Sequence, residues 1–194
     1  MHRNLNILVV DPAAPVAREI SDALEHDAWG TVTLLSSLAS LEQTLALQDP
    51  DAILIHLSNP DCDMLKQIGK MSGAHQRPVA VFVEQTDAAR TQAAIFAGLS
   101  AYVVNGMQAD RVKSVLETAI IRFSVIDKMQ TELDAAKQAL IDRKTIDRAK
   151  GVLISARQVS EQEAYNLLRK TAMDQGRKVI DVATAIVSTA DLLQ

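Results

Sequence analysis

The chain has a single cysteine, Cys62. One thiol excludes an internal disulfide and argues against a structural zinc cluster. Long apolar runs are missing as well: none approaches the roughly 20 residues that span a bilayer. The opening segment MHRNLNILVVD lacks the order of a signal peptide, in which a basic stretch, an apolar stretch and a small-residue cleavage site follow one another. From Ala109 to Lys150 there is neither Pro nor Gly, so nothing interrupts a helix there. No set of acid, base and nucleophile can be assembled, so the chain reads as a non-enzyme. A cytoplasmic protein without metal or cofactor is the expectation.

What is present fits a globular chain of one or two domains. Hydrophobic residues make up 48% and charged residues 23% of the 194 positions, enough for a real core. The net charge of -4 conceals an asymmetry. Residues 1–142 hold 11 Lys+Arg against 18 Asp+Glu, whereas residues 143–178 hold 9 against 4, a local charge of +5. A basic block beside an acidic domain suits an anionic partner such as nucleic acid, and it equally suits a solvated helical surface.

The first half alternates strands and helices. LNILVV, TVTLL, AILIHL, PVAVFV and AYVV read as five strands. The segments between them carry helical stripes: Val16, Ile20, Ala23 and Leu24 in the first, then Leu38, Leu41 and Leu45. DCDMLKQIGKM and DAARTQAAIFAG follow, the latter closed by Gly98. Such alternation predicts an α/β fold with a five-stranded parallel sheet and right-handed crossovers. Reactive groups in these sheets sit at the carboxyl ends of the strands. Those ends are Asp11 and Pro12, His56, Val83 and Glu84, and Asn105 and Gly106.

Over about residues 4–124 this pattern resembles the receiver domain of two-component response regulators. The resemblance implies a flavodoxin-like domain. It also implies an acid pair after the first strand, a phosphoacceptor aspartate after the third, Ser or Thr after the fourth and Lys–Pro after the fifth. The chain departs from almost all of it. Asp11 is followed by Pro12, His56 stands at the acceptor position, Val83 has no hydroxyl and Asn105 no charge. One carboxylate opposite an imidazole is a poor magnesium site. Asp61 and Asp63 are nearby acids that can stand in, or simply polar loop residues. His56 is expected as a packed or hydrogen-bonded group in a vacated phosphorylation site, within a pseudo-receiver domain at 1–124.

Val112, Ala119, Ile126, Leu133 and Leu140 recur every seven residues. Leu116 and Phe123 fill the intermediate positions first, then Met129 and Ala136 one residue out of register. A sustained heptad is the pattern of a coiled-coil seam. A helix from 109 to about 157 extends roughly 70 Å at 1.5 Å per residue, too far to pack only on its own domain. A connecting coiled-coil helix at 109–142 in a parallel homodimer is one expectation. The other is a helix that breaks near residue 125 and folds back.

The tail DRKTIDRAKGVLISARQVSEQEAYNLLRKTAMDQGRKVIDVATAIV holds three helical segments. Ile146, Ala149, Leu153 and Ala156 form one apolar face, Ala164, Leu167, Leu168 and Ala172 a second, and Val179, Val182, Ala183 and Ile186 a third. Ser160 and Glu163 have capping-box spacing, with Val159 placed to staple onto Ala164. A three-helix bundle leaves the cations unexplained. Arg143, Lys150 and Arg157 fall seven apart, Lys144 and Arg148 four apart, and Arg169–Lys170 and Arg177–Lys178 are doublets. Like-charge neighbours cost a few tenths of a kcal/mol each, which bound phosphates relieve. Tyr165 suits either stacking on an unpaired base or packing in the bundle.

The strings RKTIDRAKGVLI, VSEQEAYNLLRKTAM and GRKVIDVATAIV resemble the ANTAR domain of bacterial transcription antitermination regulators, over about residues 133–189. An ANTAR domain is therefore expected at 133–194. The layout looks most like the nitrate-responsive antiterminator branch. The amidase-operon antiterminator is similar in lacking working phosphorylation chemistry. The resemblance implies binding to leader-transcript stem-loops and read-through of terminators, controlled by a ligand-sensing protein of the nitrate, nitrite or amide type. It places Arg143, Lys144, Arg148, Lys150, Gly151, Ala164, Tyr165, Arg169, Ala172 and Met173 in the family motif. The basic residues and Tyr165, together with Arg157, Lys170, Arg177 and Lys178, are expected at RNA, and Gly151, Ala164, Ala172 and Met173 are expected to shape and pack the bundle. A DNA-binding response regulator and a protein-interaction module are the competing functions.

Overall fold

The computed structural model describes residues 4–12, 14–26, 29–73 and 76–192, with only the backbone at Ala14 and Pro15. The outermost ends of the two expected domains, 1–3 and 193–194, lie outside that range. The chain divides into two compact units, Met1–Lys128 and Met129–Gln194.

The first unit contains strands β1 (Leu5–Val10), β2 (Gly30–Leu35), β3 (Ala52–Leu57), β4 (Val79–Val83) and β5 (Ala101–Val104). They form one parallel sheet in the order β2-β1-β3-β4-β5. The interleaved helices are α1 (Ala14–His26), α2 (Leu41–Leu47, entered through a 3-10 turn at Leu38–Ser40), α3 (Cys62–Met71) and α4 (Ala88–Phe96). Strand residues alternate between two cores, as side-chain period 2 requires. Leu8, Val10, Ile53, Ile55, Val79, Val81 and Val83 pack with Leu41, Leu65, Ile68 and Ala94. Ile7, Val9, Leu54 and Phe82 pack on the other face with Ile20 and Leu24 of α1. That second core also takes Val112, Leu116 and Ala119 from the start of α5 (Ala109–Arg157).

Those three residues correct the expected seam. Each is at most 1% exposed, so the α5 side chains at 112, 116 and 119 are committed to their own sheet. A stripe that repeats every seven residues serves a globular core as readily as a partner helix while the helix lies on the sheet. Phe123 is half-buried, and Ile126, Leu133 and Leu140 are exposed. α5 also runs unbroken through residue 125, where the alternative expected a break.

Helix α3 approaches α4 closely at Gly69. A Cβ there would lie 2.4 Å from the Ala97 carbonyl oxygen, so no larger residue fits without moving the backbone. α4 ends as its sequence suggests, with Gly98 at φ +82.

The second unit combines the last turns of α5 with α6 (Glu161–Asp174) and α7 (Val179–Leu192). Its core is small: Ala149, Leu168, Ala172, Val182 and Ala183, flanked by Ile146, Leu153, Val179, Ile186 and Val187. Ser160 caps α6 in a complete capping box with Glu163. That reciprocal bond, led by the Ser160 backbone N–H, holds the Glu163 carboxyl below its ordinary value.

Candidate functional site

Two places carry charged chemistry, one in each unit. The first is the carboxyl edge of the sheet. Asp11 lies two residues beyond Val9, His56 two beyond Leu54, and Glu84 two beyond Phe82, so all three project from the face that α1 and α5 cover. The β3–β4 register sets His56 beside Phe82 and brings Glu84 within reach. His56 Nδ1 lies 3.1 Å from Asp11 Oδ1, and Nε2 lies 3.2 Å from Glu84 Oε1. Only a doubly protonated ring donates from both nitrogens. Asp11 is buried, the imidazole nearly so, and Glu84 faces solvent.

The arrangement is closed on itself. Asp11 and Glu84 occupy opposite nitrogens of one ring, and among the described residues no three His, Cys, Asp or Glu side chains converge as metal ligands. Asp61 accepts a bond from the Met64 amide at the start of α3 (2.7 Å), and Asp63 pairs with Lys66. Both are therefore engaged in their own helix. Pro12 is exposed, and Val83 is buried without a polar atom in its side chain. Asn105 takes a left-handed turn (φ +74) ahead of Gly106 (φ +70). A Cβ on Gly106 would come within 2.9 Å of Glu84 Oε1, so the glycine leaves room for that carboxylate. His56 is thus the hydrogen-bonded residue its position suggests. Glu84 as its second partner is not evident from motif spacing alone; it follows from strand parity and register.

The second place is the surface of the C-terminal bundle. Its cations fall into two groups. Lys150 is only 16% exposed and is clasped by Asp147 and Glu161, each at 2.6 Å. Bonds to Asp147 and then Glu161 raise its pKa, and the Lys150 bond holds Asp147 below the usual carboxylate value. Arg148 meets Asp191 of α7 at 2.6 Å. Arg177 is held over α7 by the Asp181 carbonyl, 3.4 Å from its Nη2. Lys150 ties α5 to α6, Arg148 ties α5 to α7 and Arg177 fastens the loop before α7, and Lys150 reaches a phosphate only by exchanging a carboxylate for it. In the other group, Lys144, Arg157, Arg169, Lys170 and Lys178 are exposed and make no ion pair among the described residues. Arg143 acts on Asp147 at a distance.

Tyr165 is 40% exposed and stands outside the bundle core, beside Lys150, Glu161 and Gln162. Its ring is therefore a surface feature. Two expected packing residues need correction. Met173 is 71% exposed, so it does not pack the bundle. Gly151 is exposed in mid-helix, and a Cβ built on it meets nothing within 4 Å. Glycine at such a site costs a helix about 1 kcal/mol relative to alanine, and packing does not explain it. Of the expected face of α5, Ala149 is buried and Ile146 and Leu153 flank the core, but Ala156 is exposed.

Comparison with known proteins finds matches to each unit and to the chain as a whole. Residues 134–187 match the ANTAR domain. The transcriptional regulatory protein PdtaR of Mycobacterium tuberculosis is 21% identical over 183 residues, spanning 94% of this chain and 89% of its own. The nitrate regulatory protein of Klebsiella oxytoca is 33% identical over 67 residues, which cover 34% of this chain and 17% of its own. The first unit shares its fold with solved receivers. A signal receiver domain from Vibrio parahaemolyticus superposes with TM-score 0.52 at 17% identity, over 66% of this chain and 98% of its own. The chemotaxis protein CheY4 of Vibrio cholerae does so with TM-score 0.51 at 16% identity, over 60% and 99%.

Proposed function

From an ANTAR domain at 134–187 carried behind a receiver-type sheet, we propose that the chain is an RNA-binding transcription antiterminator. It grips stem-loops in a leader transcript and favours read-through of a terminator. It works as a cytoplasmic regulator without catalytic activity. Among the described residues, no helix is long and apolar enough to cross a membrane.

The observation that carries this reading is the exposed set Lys144, Arg157, Arg169, Lys170 and Lys178 on a small bundle. Cations held without carboxylates release counterions when they meet phosphates, which is the main source of affinity for nucleic acid. Arg143, Arg148, Lys150, Arg177 and Tyr165 add contacts at the margin.

Control passes through protein contact. His56, held between Asp11 and Glu84, stands where an acyl-phosphate acceptor would be an aspartate. A ligand-sensing protein, of the class that responds to nitrate, nitrite or an amide, sequesters the chain until its ligand appears. The active form is a parallel homodimer through the exposed row Ile126, Met129, Leu133, Ala136 and Leu140 on α5. These alternate at three and four residues, as a coiled-coil seam does. Glu132 and Lys137 flank the row five residues apart, the spacing at which opposite charges meet across a parallel pair.

Titration of the full chain with RNA hairpins and with duplex DNA of the same sequence, over a range of salt, tests the proposal. Hairpin binding that weakens by about 0.7 log units per phosphate contact per log unit of salt supports it. Preference for duplex DNA would make the chain a DNA-binding response regulator, and indifference to both would make it an interaction module.

A further inference from the structure

A groove opens between α5, α6 and α7 of the second unit. Its volume is about 430 Å³, within the range of small-molecule pockets and far from that of a helix-sized cleft. The floor is apolar, from Val152 of α5 and Ala185 and Ile186 of α7, and the rim is polar, from Thr171, Gln175 and Arg177. Resting on the RNA-binding reading above, we infer that this groove receives one unpaired nucleobase of the bound loop.

Three observations favour a base over other occupants. First, the rim carries the side chains that read base edges. An amide pairs with adenine-type donor and acceptor edges, and a guanidinium with guanine-type acceptors. The Gln175 side chain makes no hydrogen bond to a described residue, while Arg177 is anchored by its own N–H to the Ala172 carbonyl (2.9 Å) and by the Asp181 carbonyl. Second, an apolar floor suits the flat face of a base drawn out of a loop, the usual mode of single-strand recognition in RNA. Third, Gly151 precedes Val152 on α5, outside the groove's own lining, and has open space where a Cβ would stand. A residue without a Cβ there lets a sugar–phosphate strand come down on the helix backbone. The +5 charge of residues 143–178, with Arg177 on the groove itself, would supply phosphate contacts for such a strand.

The test uses the full-length protein and a hairpin library with a fixed stem and a randomised loop. Hairpins enriched by the native chain are then measured against Ala185→Leu, which fills the groove from an exposed methyl. Affinity should fall about ten-fold or more, with helical content and melting temperature unchanged. Removing single bases from the enriched loop should reveal one position whose loss weakens native binding to a similar degree and leaves Ala185→Leu unaffected. Gln175→Ala, at an exposed helix end, should relax the base preference at that same position. If Ala185→Leu and Gln175→Ala both bind enriched hairpins as the native chain does, the groove inference falls and the RNA reading stands. If Ala185→Leu alters the oligomeric state with RNA affinity intact, the groove belongs to a second copy and the inference is overturned. If no hairpin is enriched at all, both readings fail together.

Discussion

At the edge of the sheet, charged groups face one another; on the bundle, many of them face water. Asp11 and Glu84 flank the two nitrogens of His56 within hydrogen-bond distance, and the Asp11 carboxylate is buried. Arg157, Arg169, Lys170 and Lys178 have no such partners among the described residues. The difference reflects solvent access. A carboxylate at the end of a fully covered strand loses its hydration and must be compensated locally, whereas a lysine on a narrow bundle stays hydrated until something displaces the water. The first arrangement holds a structure in place. The second is available for binding.

The sharpest way to break the contrast is through the seam. Leu133→Asp or Ile126→Asp places a charge in the proposed dimer contact and should convert the protein to monomer in sedimentation, with both units still folded. A dimer that survives either change removes the seam. Next in size is His56→Ala. Stripping the imidazole from buried Asp11 should destabilise the first unit by about 3 kcal/mol in urea unfolding, and should leave hairpin affinity of the second unchanged. A loss under about 1 kcal/mol would mean the trio is incidental.

A smaller effect sharpens the division among the cations. Arg169→Ala should weaken hairpin binding and lower its salt slope by about one unit. Lys150→Ala, which removes a clasp between Asp147 and Glu161, should lower the melting temperature of the bundle as well as its affinity. Equal thermal effects from both would erase the distinction. Acid provides a weaker probe. Glu163 is held below its ordinary value by the Ser160 backbone, so its contribution to the α6 cap is present above the unfolded pKa and is lost as pH falls through the folded one. Protection of the first α6 amides against exchange should decline over that acidic window and at no higher pH. Smallest of all is the response to acetyl phosphate and magnesium, where no stable phosphoprotein should form; one that depends on His56 would overturn the closed-site account.

The fold was readable because local and long-range signals agreed. ILVV, AILI and VAVFV are apolar and buried throughout, as strands covered on both sides must be, and Ser160 with Glu163 marks the start of α6 from spacing alone. The site was less legible. His56 was conspicuous at its strand end, but Glu84 becomes its partner through the offset between β3 and β4, which no single segment encodes. The heptad misled for a similar reason: Val112 and Ile126 occupy the same phase of α5, yet one meets the sheet and the other water. Periodicity gives the direction of a side chain and leaves open what stands opposite it. Likewise Lys150 and Lys144 look alike in sequence, and only the fold brings Glu161 to the first of them.

The trio at the sheet edge also bears on time. An acyl phosphate keeps a record of its signal for the lifetime of a covalent bond and then decays on its own clock. An imidazole between two carboxylates keeps no record. On the proposed reading, a partner governs the front unit only while it stays attached, so the response would track the abundance of that partner from moment to moment and end when it dissociates.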